Sequence, residues 1–417
     1  MSAEPFPAEG LPLEQARAQV LAAVQSLSGS ETLPLHQALG WVAASAVRAR
    51  EAVPGFRASI MDGYAVGGDP APPELGAQWR LVGRSAPGAP LAAVLEPGQA
   101  VRILTGAPVP EGCGRVLPQE LVSAQGDTLR LAREAGPNPW IRAADEEAAP
   151  GQVLLAAGAR LGPAQLGRLA SCGVAVLEVR SRPCIGLLIS GDELTPVGES
   201  RAPGAIWESN GTLLEALLQR LGYPVAERLV VADEPAALRT ALQELADRCD
   251  VVVTTGGVSA GDADWIRPLV AELGEVGFWK LFLKPGRPFA FGHLRAGERR
   301  VPFFGLPGNP VAAAITALQL LWPALQQLEG APVQLLPRLR VRLASAVKRG
   351  AGRPELARAR LEVGSAGELL ARVEGSQASS RIGSLEQADL LLEIPAELGS
   401  LEEGTELWAQ LLRLPLF

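Results

Sequence analysis

The stretch VVVTTGGVSAGDADW, residues 251–265, joins a short apolar run to a glycine-rich turn and two acids. The run DVVVTT is typical of a buried strand, and DWIRPLVAEL after the turn has the apolar spacing of a helix. Strands and helices of this kind alternate from residue 183 to about residue 328. Such alternation predicts an open, mostly parallel α/β sheet.

Three further strands are predicted inside this region, at 277–283, 288–294 and 301–306, and a helix from Pro310 to about Leu328. Two helices, at 11–27 and 34–47, are predicted near the start of the chain. Residues 48–145 carry frequent Pro and Gly between short alternating runs, which favours a β-rich domain. Residues 150–180 indicate strand, helix and strand. The segment 332–417 predicts a small β-barrel or sandwich.

The composition limits the number of domains and the classes of function that the chain can have. A chain of 417 residues can form two to four domains, and 47% hydrophobic residues suffice for sizeable cores. The net charge of −7 argues against a general nucleic-acid binder, which would carry a basic surface. Lys280, Lys284 and Lys348 are the only lysines in the sequence, so two of them within five positions draw attention.

Cysteine and histidine usage disfavours two common kinds of site. The four Cys residues have no CxxC spacing, and His36 and His293 are the only imidazoles in the sequence. Zinc chemistry and a Ser-His-Asp triad are therefore poorly supported. We see no signal peptide and no apolar run of about 18 residues, so we expect a soluble cytoplasmic protein without membrane contact.

Ligands of open α/β sheets bind outside the carboxyl ends of the strands, so the loops there are the candidate site. The loop TTGGVSAGD could bring backbone N–H groups to phosphate oxygens, although a plain tight turn would look the same. It matches neither GxxxxGK[ST] nor GxGxxG. PGNP, 307–310, could be an anion-binding helix start or an ordinary cap by Asn309.

The turn KPGRP, 284–288, holds two cations on a rigid backbone, which suits a tetrahedral oxyanion; the alternative is a solvated basic turn. Several acids near the predicted strand ends suggest Mg²⁺ beside a phosphate, with some of them serving only as helix caps. These acids are Asp192, Glu193, Asp233, Asp262 and Asp264. The MDGYA stretch, 61–65, indicates a turn and would receive no role by itself.

Taken together, eight stretches in order resemble one family, the molybdopterin molybdenumtransferases, which are the bacterial MoeA proteins and include the E domain of gephyrin among their eukaryotic relatives. The stretches are VPGFRASIMDGYAV (53–66), VRILTGAPVPEG (101–112), SGDEL (190–194), GAIWESNGTLL (204–214), TTGGVSAGDADW (254–265), FWKLFLKPGRPFAFG (278–292), FFGLPGNPV (303–311) and GSQASSRIGSL (375–385).

The resemblance implies a multi-domain α+β protein with a central MogA-like α/β domain, a β-rich N-terminal arm domain and a small C-terminal β-barrel domain. It implies molybdenum insertion from molybdate into adenylated molybdopterin, with AMP released and Mg²⁺ as cofactor. It also implies a homodimer whose cleft is shared between the α/β domain of one subunit and the arm of the other. The domain boundaries we predict are 1–47 with 146–180 for a linking and dimerisation domain, 48–145 for the arm, 181–330 for the α/β domain and 331–417 for the barrel.

The resemblance assigns roles residue by residue. The catalytic set it implies is Asp62, Glu147, Glu193, Asp233 and Asp264, with Glu193 and Asp264 as metal ligands. The substrate-binding set it implies is Thr105, Arg142, Ser190, Gly191, Asp192, Thr255, Gly256, Gly257, Ser259, Gly261, Asp262, Pro307, Gly308 and Asn309. The molybdate-binding set it implies is Lys280, Lys284, Arg287, Pro288 and Arg353.

The chain departs from the family pattern at a few positions. Asp145 or Glu147 could fill the position of the family Asp, Arg287 replaces a Lys, and Ala312 replaces a Ser. Two alternative functions remain open. One is an enzyme with related chemistry, either a molybdopterin adenylyltransferase or a CinA-like nucleotide pyrophosphatase. The other is a non-catalytic scaffold that keeps the fold.

Overall fold

The computed structural model describes residues 10–258, 265–373 and 375–413. In these ranges the helices are α1 Leu13–Ala23, α2 Pro163–Ser171, α3 Asn210–Arg220, α4 Pro235–Arg248, α5 Ile266–Leu273, α6 Pro310–Thr316, α7 Trp322–Glu329 and α8 Gly383–Glu386, with a π-helical turn, Ala317–Leu321, between α6 and α7.

The strands of the first half, in the same described ranges, are β1 Ser30–Pro34, β2 Val47–Arg48, β3 Ala58–Ser59, β4 Gly63–Gly67, β5 Gln78–Ser85, β6 Gln99–Ile103, β7 Cys113–Pro118, β8 Val122–Gln125, β9 Thr128–Leu131, β10 Ile141–Arg142, β11 Val153–Leu155 and β12 Val176–Arg180. Those of the second half are β13 Ile185–Ser190, β14 Leu194–Thr195, β15 Ile206–Trp207, β16 Val225–Val231, β17 Val251–Thr255, β18 Gly274–Trp279, β19 Ala290–Ala296, β20 Arg299–Leu306, β21 Arg338–Leu343, β22 Glu355–Val363, β23 Leu369–Arg372, β24 Leu390–Ile394 and β25 Glu406–Leu411.

The central sheet has the order β16-β13-β17-β20-β19-β18. Its first four strands are parallel, and β19 runs antiparallel between β20 and β18. Every residue of β13 and β17 is buried, as expected for parallel strands covered on both faces. The predicted α/β domain is confirmed, including the strand formed by VVVTT.

Two cores lie on opposite faces of this sheet, because successive strand side chains point to opposite sides. Val251 and Val253 pack with the helices α1, α3, α6 and α7, whereas Val252 packs with α4 and α5. The helix from Pro310 continues to Glu329 with the π turn inside it. By length and composition alone this helix could cross a membrane, contrary to our reading of the sequence, but 94% of its most apolar window is buried within the protein, as in a core helix.

The arm is a six-stranded sheet of order β7-β4-β6-β5-β9-β8, and the C-terminal strands close into a barrel of order β21-β23-β22-β24-β25. Both predictions of β structure are confirmed. Strand β1 pairs antiparallel with β12, and β2 pairs with β11, so the chain enters the arm and returns from it side by side. The domain boundaries stay a prediction.

One predicted helix is wrong. Residues 34–47 contain only a short 3₁₀ turn, Leu35–Gln37. The backbone N–H groups that a helix would use bond elsewhere, since Gly40 donates to Leu161 O at 2.7 Å and Ala43 donates to Ala159 O at 2.9 Å. Helix α1 is also shorter than the predicted 11–27. Strands β18 and β19 leave residues 280–289 as a loop, where the sequence had suggested strand up to 283.

Candidate active site

The site lies at the carboxyl edge of the central sheet, where β13, β17, β20 and β18 all end. Strand β18 is antiparallel to β19, which is antiparallel to β20, so its carboxyl end meets the same edge. The loops SGDEL, TTGG, PGNP and KPGRP therefore gather there, as the sequence predicted.

Asn210, at the start of α3, ties two of these loops together, TTGG and PGNP. Its Nδ2 donates to Thr255 Oγ1 and to Gly308 O, both at 2.7 Å. Thr255 Oγ1 in turn lies 3.3 Å from Pro307 O. Gly256 and Gly257 have φ of 90° and 61°, the left-handed region that favours glycine. A Cβ on Gly256 would lie 2.9 Å from Ser190 O, so the loops after β13 and β17 pack closely.

The acidic loop after β13 is linked to the loop after β16. Asp192 Oδ1 accepts a hydrogen bond from the backbone N–H of Asp233 at 3.1 Å. Asp233 is not the N-cap residue of α4. That position belongs to Glu234, and the helix start has no side-chain capping bond. The Glu193 carboxylate lies beside Gly191, where an added Cβ would be 2.9 Å from its Oε2. Asp192, Glu193 and Asp233 are thus neighbours. Ser259, Gly261, Asp262 and Asp264 lie outside the described residues.

The turn KPGRP forms one wall of a basic cavity of about 440 Å³, and the start of the barrel forms the other. Two backbone hydrogen bonds join the walls: Lys284 N to Pro354 O at 2.9 Å and Leu356 N to Lys284 O at 2.8 Å. The cavity is lined by Phe282, Lys284, Arg287, Arg349, Gly350, Ala351, Gly352, Arg353 and Glu355. Four cations and one carboxylate give it a strongly positive character, which suits an oxyanion.

Two members of the predicted molybdate set are not among the residues that line this cavity. Lys280 lies at the end of β18, where its carbonyl accepts from Leu11 N at 3.1 Å. Its φ of 96° is rare for a residue other than glycine. Pro288 follows Arg287 on the far side of the turn. Ala312, the position at which the family has Ser, is buried in α6 and is not among the residues that line the cavity. Its carbonyl accepts from Thr316 Oγ1 at 2.8 Å.

In the arm, Asp62 is exposed and its Oδ1 accepts from both Thr105 N and Thr105 Oγ1 at 2.7 Å. These donors, the backbone N–H first, lower the pKa of Asp62. Strand β10 pairs with β3, and this pairing puts Arg142 beside Ala58, close to the MDGYA turn. Arg142 forms ion pairs with Glu146 and Glu147, each at 3.3 Å. The structure thus brings Asp62 and Thr105 into contact, whereas the side chain of Arg142 pairs with Glu146 and Glu147.

Three family models match successive parts of the chain. Residues 11–173 match the model of the MoeA N-terminal region (domain I and II), 186–327 match the "probable molybdopterin binding domain", and 340–412 match the MoeA C-terminal region (domain IV). A molybdopterin molybdenumtransferase of Haemophilus influenzae is 33% identical over 94% of this chain and 96% of its own. The chain belongs to the molybdopterin molybdenumtransferase family.

Other members of the family are similar to this chain over most of its length. Molybdopterin molybdenumtransferase 2 of Mycobacterium tuberculosis (strain ATCC 25618 / H37Rv) is 32% identical over 90% of this chain and 93% of its own. The crystal structure of the molybdopterin biosynthesis MoeA protein from Pyrococcus horikoshii OT3 superposes with a TM-score of 0.80 at 26% identity, over 96% of this chain and all of that one. The predicted fold class is confirmed.

Sequence reasoning missed three residues of the site in this member of the family. Asn210 is absent from the predicted site residues, and it lies in the first turn of α3, where Glu208 Oε1 accepts from Gly211 N at 2.6 Å. Arg349 and Glu355 flank Arg353 at the start of the barrel and are absent from the predicted set as well. Their signal was present in the Gly-rich run RGAGRPE, 349–355, but nothing in the sequence connects that run to KPGRP.

Proposed function

We propose that the chain inserts molybdenum from molybdate into adenylated molybdopterin and releases AMP, the last step of molybdenum cofactor synthesis. Membership of the family supports the reaction, and the basic cavity supports its oxyanion substrate. The cavity is the observation on which the proposal rests: Lys284 and Arg287 come from the α/β domain, and Arg353 comes from the barrel. Guanidinium and ammonium groups fixed on two rigid walls can bind a tetrahedral dianion from several sides.

The loops tied by Asn210 would bind the adenylate and the pterin phosphate. In this proposal backbone N–H groups of Gly191, Gly257 and Gly308 meet phosphate oxygens, because the lack of side chains lets a ligand approach closely. The N–H of Gly256 donates to Leu306 O at 3.3 Å, so Gly256 contributes only the close approach. Ser190, Thr255 and Asn309 add polar side chains at the same edge. Ser259, Gly261 and Asp262 belong to the proposed set but lie outside the described residues.

Magnesium is compatible with the donors that the chain offers. Within residues 10–258, 265–373 and 375–413 no group of three or more His, Cys, Asp or Glu residues is arranged to hold a metal. Mg²⁺, however, is typically held by one or two carboxylates together with substrate phosphates and water. We propose that Glu193 and Asp264 provide those carboxylates. A bound Mg²⁺ would supply positive charge to the phosphate of the adenylate. Asp233, hydrogen-bonded to Asp192, would help to hold the acidic loop.

We further propose that the functional unit is a cytoplasmic homodimer, in which the arm of one subunit completes the cleft of the other. Asp62 is exposed in the single chain and carries its negative charge at neutral pH, since Thr105 lowers its pKa. Such a carboxylate can orient a water or a substrate hydroxyl presented by the partner. Arg142 with Glu147 would bind a second polar part of the substrate.

The test uses purified protein, adenylated molybdopterin, Mg²⁺ and molybdate, with AMP release followed by chromatography. We expect AMP release to depend on molybdate in the wild type, and Glu193→Gln to abolish it while leaving the dimer intact. Glu199→Gln, in the next loop, between β14 and β15, is the matched control. Tight binding of the adenylate without molybdate-dependent release would contradict the insertase function. Mixing Asp62→Asn with Lys284→Ala chains should restore part of the activity, because one of the two clefts in a heterodimer would be intact.

A further inference from the structure

Glu355 is a carboxylate buried in the wall of the basic cavity. Its side chain is 4% exposed, and it opens β22 at the border of the barrel. One oxygen, Oε1, lies 3.0 Å from Lys284 Nζ, and the other, Oε2, lies 3.2 Å from Arg349 Nε. A single negative charge thus neutralises one cation from each domain.

The two partners of Glu355 differ in how they are held. Arg349 is 6% exposed, and its remaining N–H groups donate to backbone carbonyls: Nη2 to Arg353 O at 2.7 Å, and Nη1 to Pro395 O at 3.0 Å and to Leu398 O. Lys284 is 45% exposed, and its flexible four-carbon stem carries a compact charge. Arg349 is therefore fixed, whereas Lys284 can change partner.

An oxyanion that enters the cavity meets Arg287 and Arg353 directly, but it meets a Lys284 already engaged by a carboxylate. Releasing Lys284 carries a moderate cost, because the buried Glu355 then keeps only one of its two cationic partners. Glu355 is not left uncompensated by the release, since Arg349 stays on its other oxygen. Burying an unpaired carboxylate would cost far more.

We propose that Glu355 is a positioning residue that holds Lys284 in the empty cavity and exchanges it with the incoming oxyanion. The residue competes with the oxyanion for the ammonium group, so it weakens ground-state binding and engages Lys284 again once the molybdenum has been transferred. This inference rests on the proposed function, in which the cavity binds molybdate.

The first test is made on the wild-type protein, and one variant serves only to assign a signal. The sequence has three lysines, so protein made with ¹⁵N-labelled lysine gives three side-chain Nζ signals besides the three lysine backbone signals. Lys284→Arg assigns one of them. Titration with molybdate should shift the Lys284 signal far more than that of Lys348. Molybdate binding, measured by calorimetry, that leaves the Lys284 signal in place would overturn the exchange.

The second test compares Glu355→Gln with Glu393→Gln. Glu393 is the matched control, because it lies in the same barrel and pairs with an arginine, Arg338, at 2.6 Å, but does not line the basic cavity. We expect the molybdate Kd of Glu355→Gln to fall by roughly tenfold, the change that corresponds to ~1.4 kcal/mol. Turnover should fall with it, while Glu393→Gln keeps both values.

The outcomes separate this inference from the proposed function. An unchanged or raised Kd in a folded Glu355→Gln protein, as judged by its thermal transition, would refute the competition. If the wild type binds no molybdate at all, the proposed function itself fails. If it binds molybdate and only the effect of Glu355 is missing, the function stands and the exchange is wrong.

Discussion

Gly286 in the KPGRP turn offers the sharpest test of how the basic cavity is built. Its φ is 114°, and a Cβ added there would lie 2.6 Å from Thr316 Cγ2 in α6. Gly286→Ala therefore meets two penalties. The backbone strain costs about 1–2 kcal/mol, and the steric overlap in a packed core costs about 1–3 kcal/mol. We expect a total near 3 kcal/mol.

Gly297 provides the control for the first penalty. It lies at the tip of the β19–β20 hairpin with φ of 60°, and an added Cβ would meet nothing within 4 Å. Gly297→Ala should cost only about 1 kcal/mol. In scanning calorimetry a domain of this size loses about 2–4 °C per kcal/mol, so we expect losses of about 6–12 °C for Gly286→Ala and 2–4 °C for Gly297→Ala.

A double mutant isolates the second penalty. Thr316→Ser removes Cγ2 but keeps the hydroxyl that donates to Ala312 O at 2.8 Å. In Gly286→Ala/Thr316→Ser the overlap should disappear and the strain should remain, which gives a coupling energy of about 1–3 kcal/mol. Equal losses for Gly286→Ala and Gly297→Ala, or strictly additive effects in the double mutant, would refute the packing of KPGRP on α6.

Three further predictions follow from other contacts. Asn210→Ala removes two 2.7 Å hydrogen bonds, so we expect the free energy of unfolding in urea to fall by about 2 kcal/mol. The KM for adenylated molybdopterin should rise. The control Asn138→Ala, in the arm, should leave this KM unchanged. Glu329 is fully buried and accepts from Arg160 and Tyr223 at 2.6 Å. Glu329→Gln should cost about 3 kcal/mol, measured by thermal denaturation, because the partly buried Arg160 and Arg182 lose their shared counter-ion. The pKa of Asp62 is lowered in the folded state, so its contribution to stability is present above the ordinary Asp value of about 4 and is lost as the pH falls through the lowered value. The stability difference between the wild type and Asp62→Asn should accordingly be seen at pH 7 and vanish near pH 2; a difference that persists there would contradict the assignment.

The sequence was informative where local pattern and burial agree. The all-buried strands β13 and β17 read as continuous apolar runs, and their loops carry Gly and polar residues at the ends where ligands bind. The pattern failed at 34–47, where apolar residues at helical spacing do not form an α-helix. Their backbone pairs with distant segments, as in the bond from Gly40 N to Leu161 O at 2.7 Å. Tertiary pairing overrode local propensity there.

The contacts that assemble the site could not be predicted, because they join residues far apart in the chain. Asn210 bonds to residues 45 and 98 positions away. A helix-start Asn is ordinarily a cap, so its second function leaves no local mark. The pairing of Glu355 with Lys284 is of the same kind, since it requires the barrel to meet the α/β domain before either charge has a partner.

This junction bears on the choice among related functions. An adenylyltransferase or a nucleotide pyrophosphatase needs the loops at the carboxyl edge of the sheet, and those loops belong to the α/β domain alone. The basic cavity does not belong to the α/β domain alone, since Arg349, Arg353 and Glu355 come from the start of the barrel, which is joined to KPGRP by two backbone hydrogen bonds and an ion pair. A fold that only bound or hydrolysed the nucleotide would gain nothing from four cations assembled across a domain border. A fold that must also capture a free dianion beside the nucleotide requires such a second site, and the barrel supplies half of it.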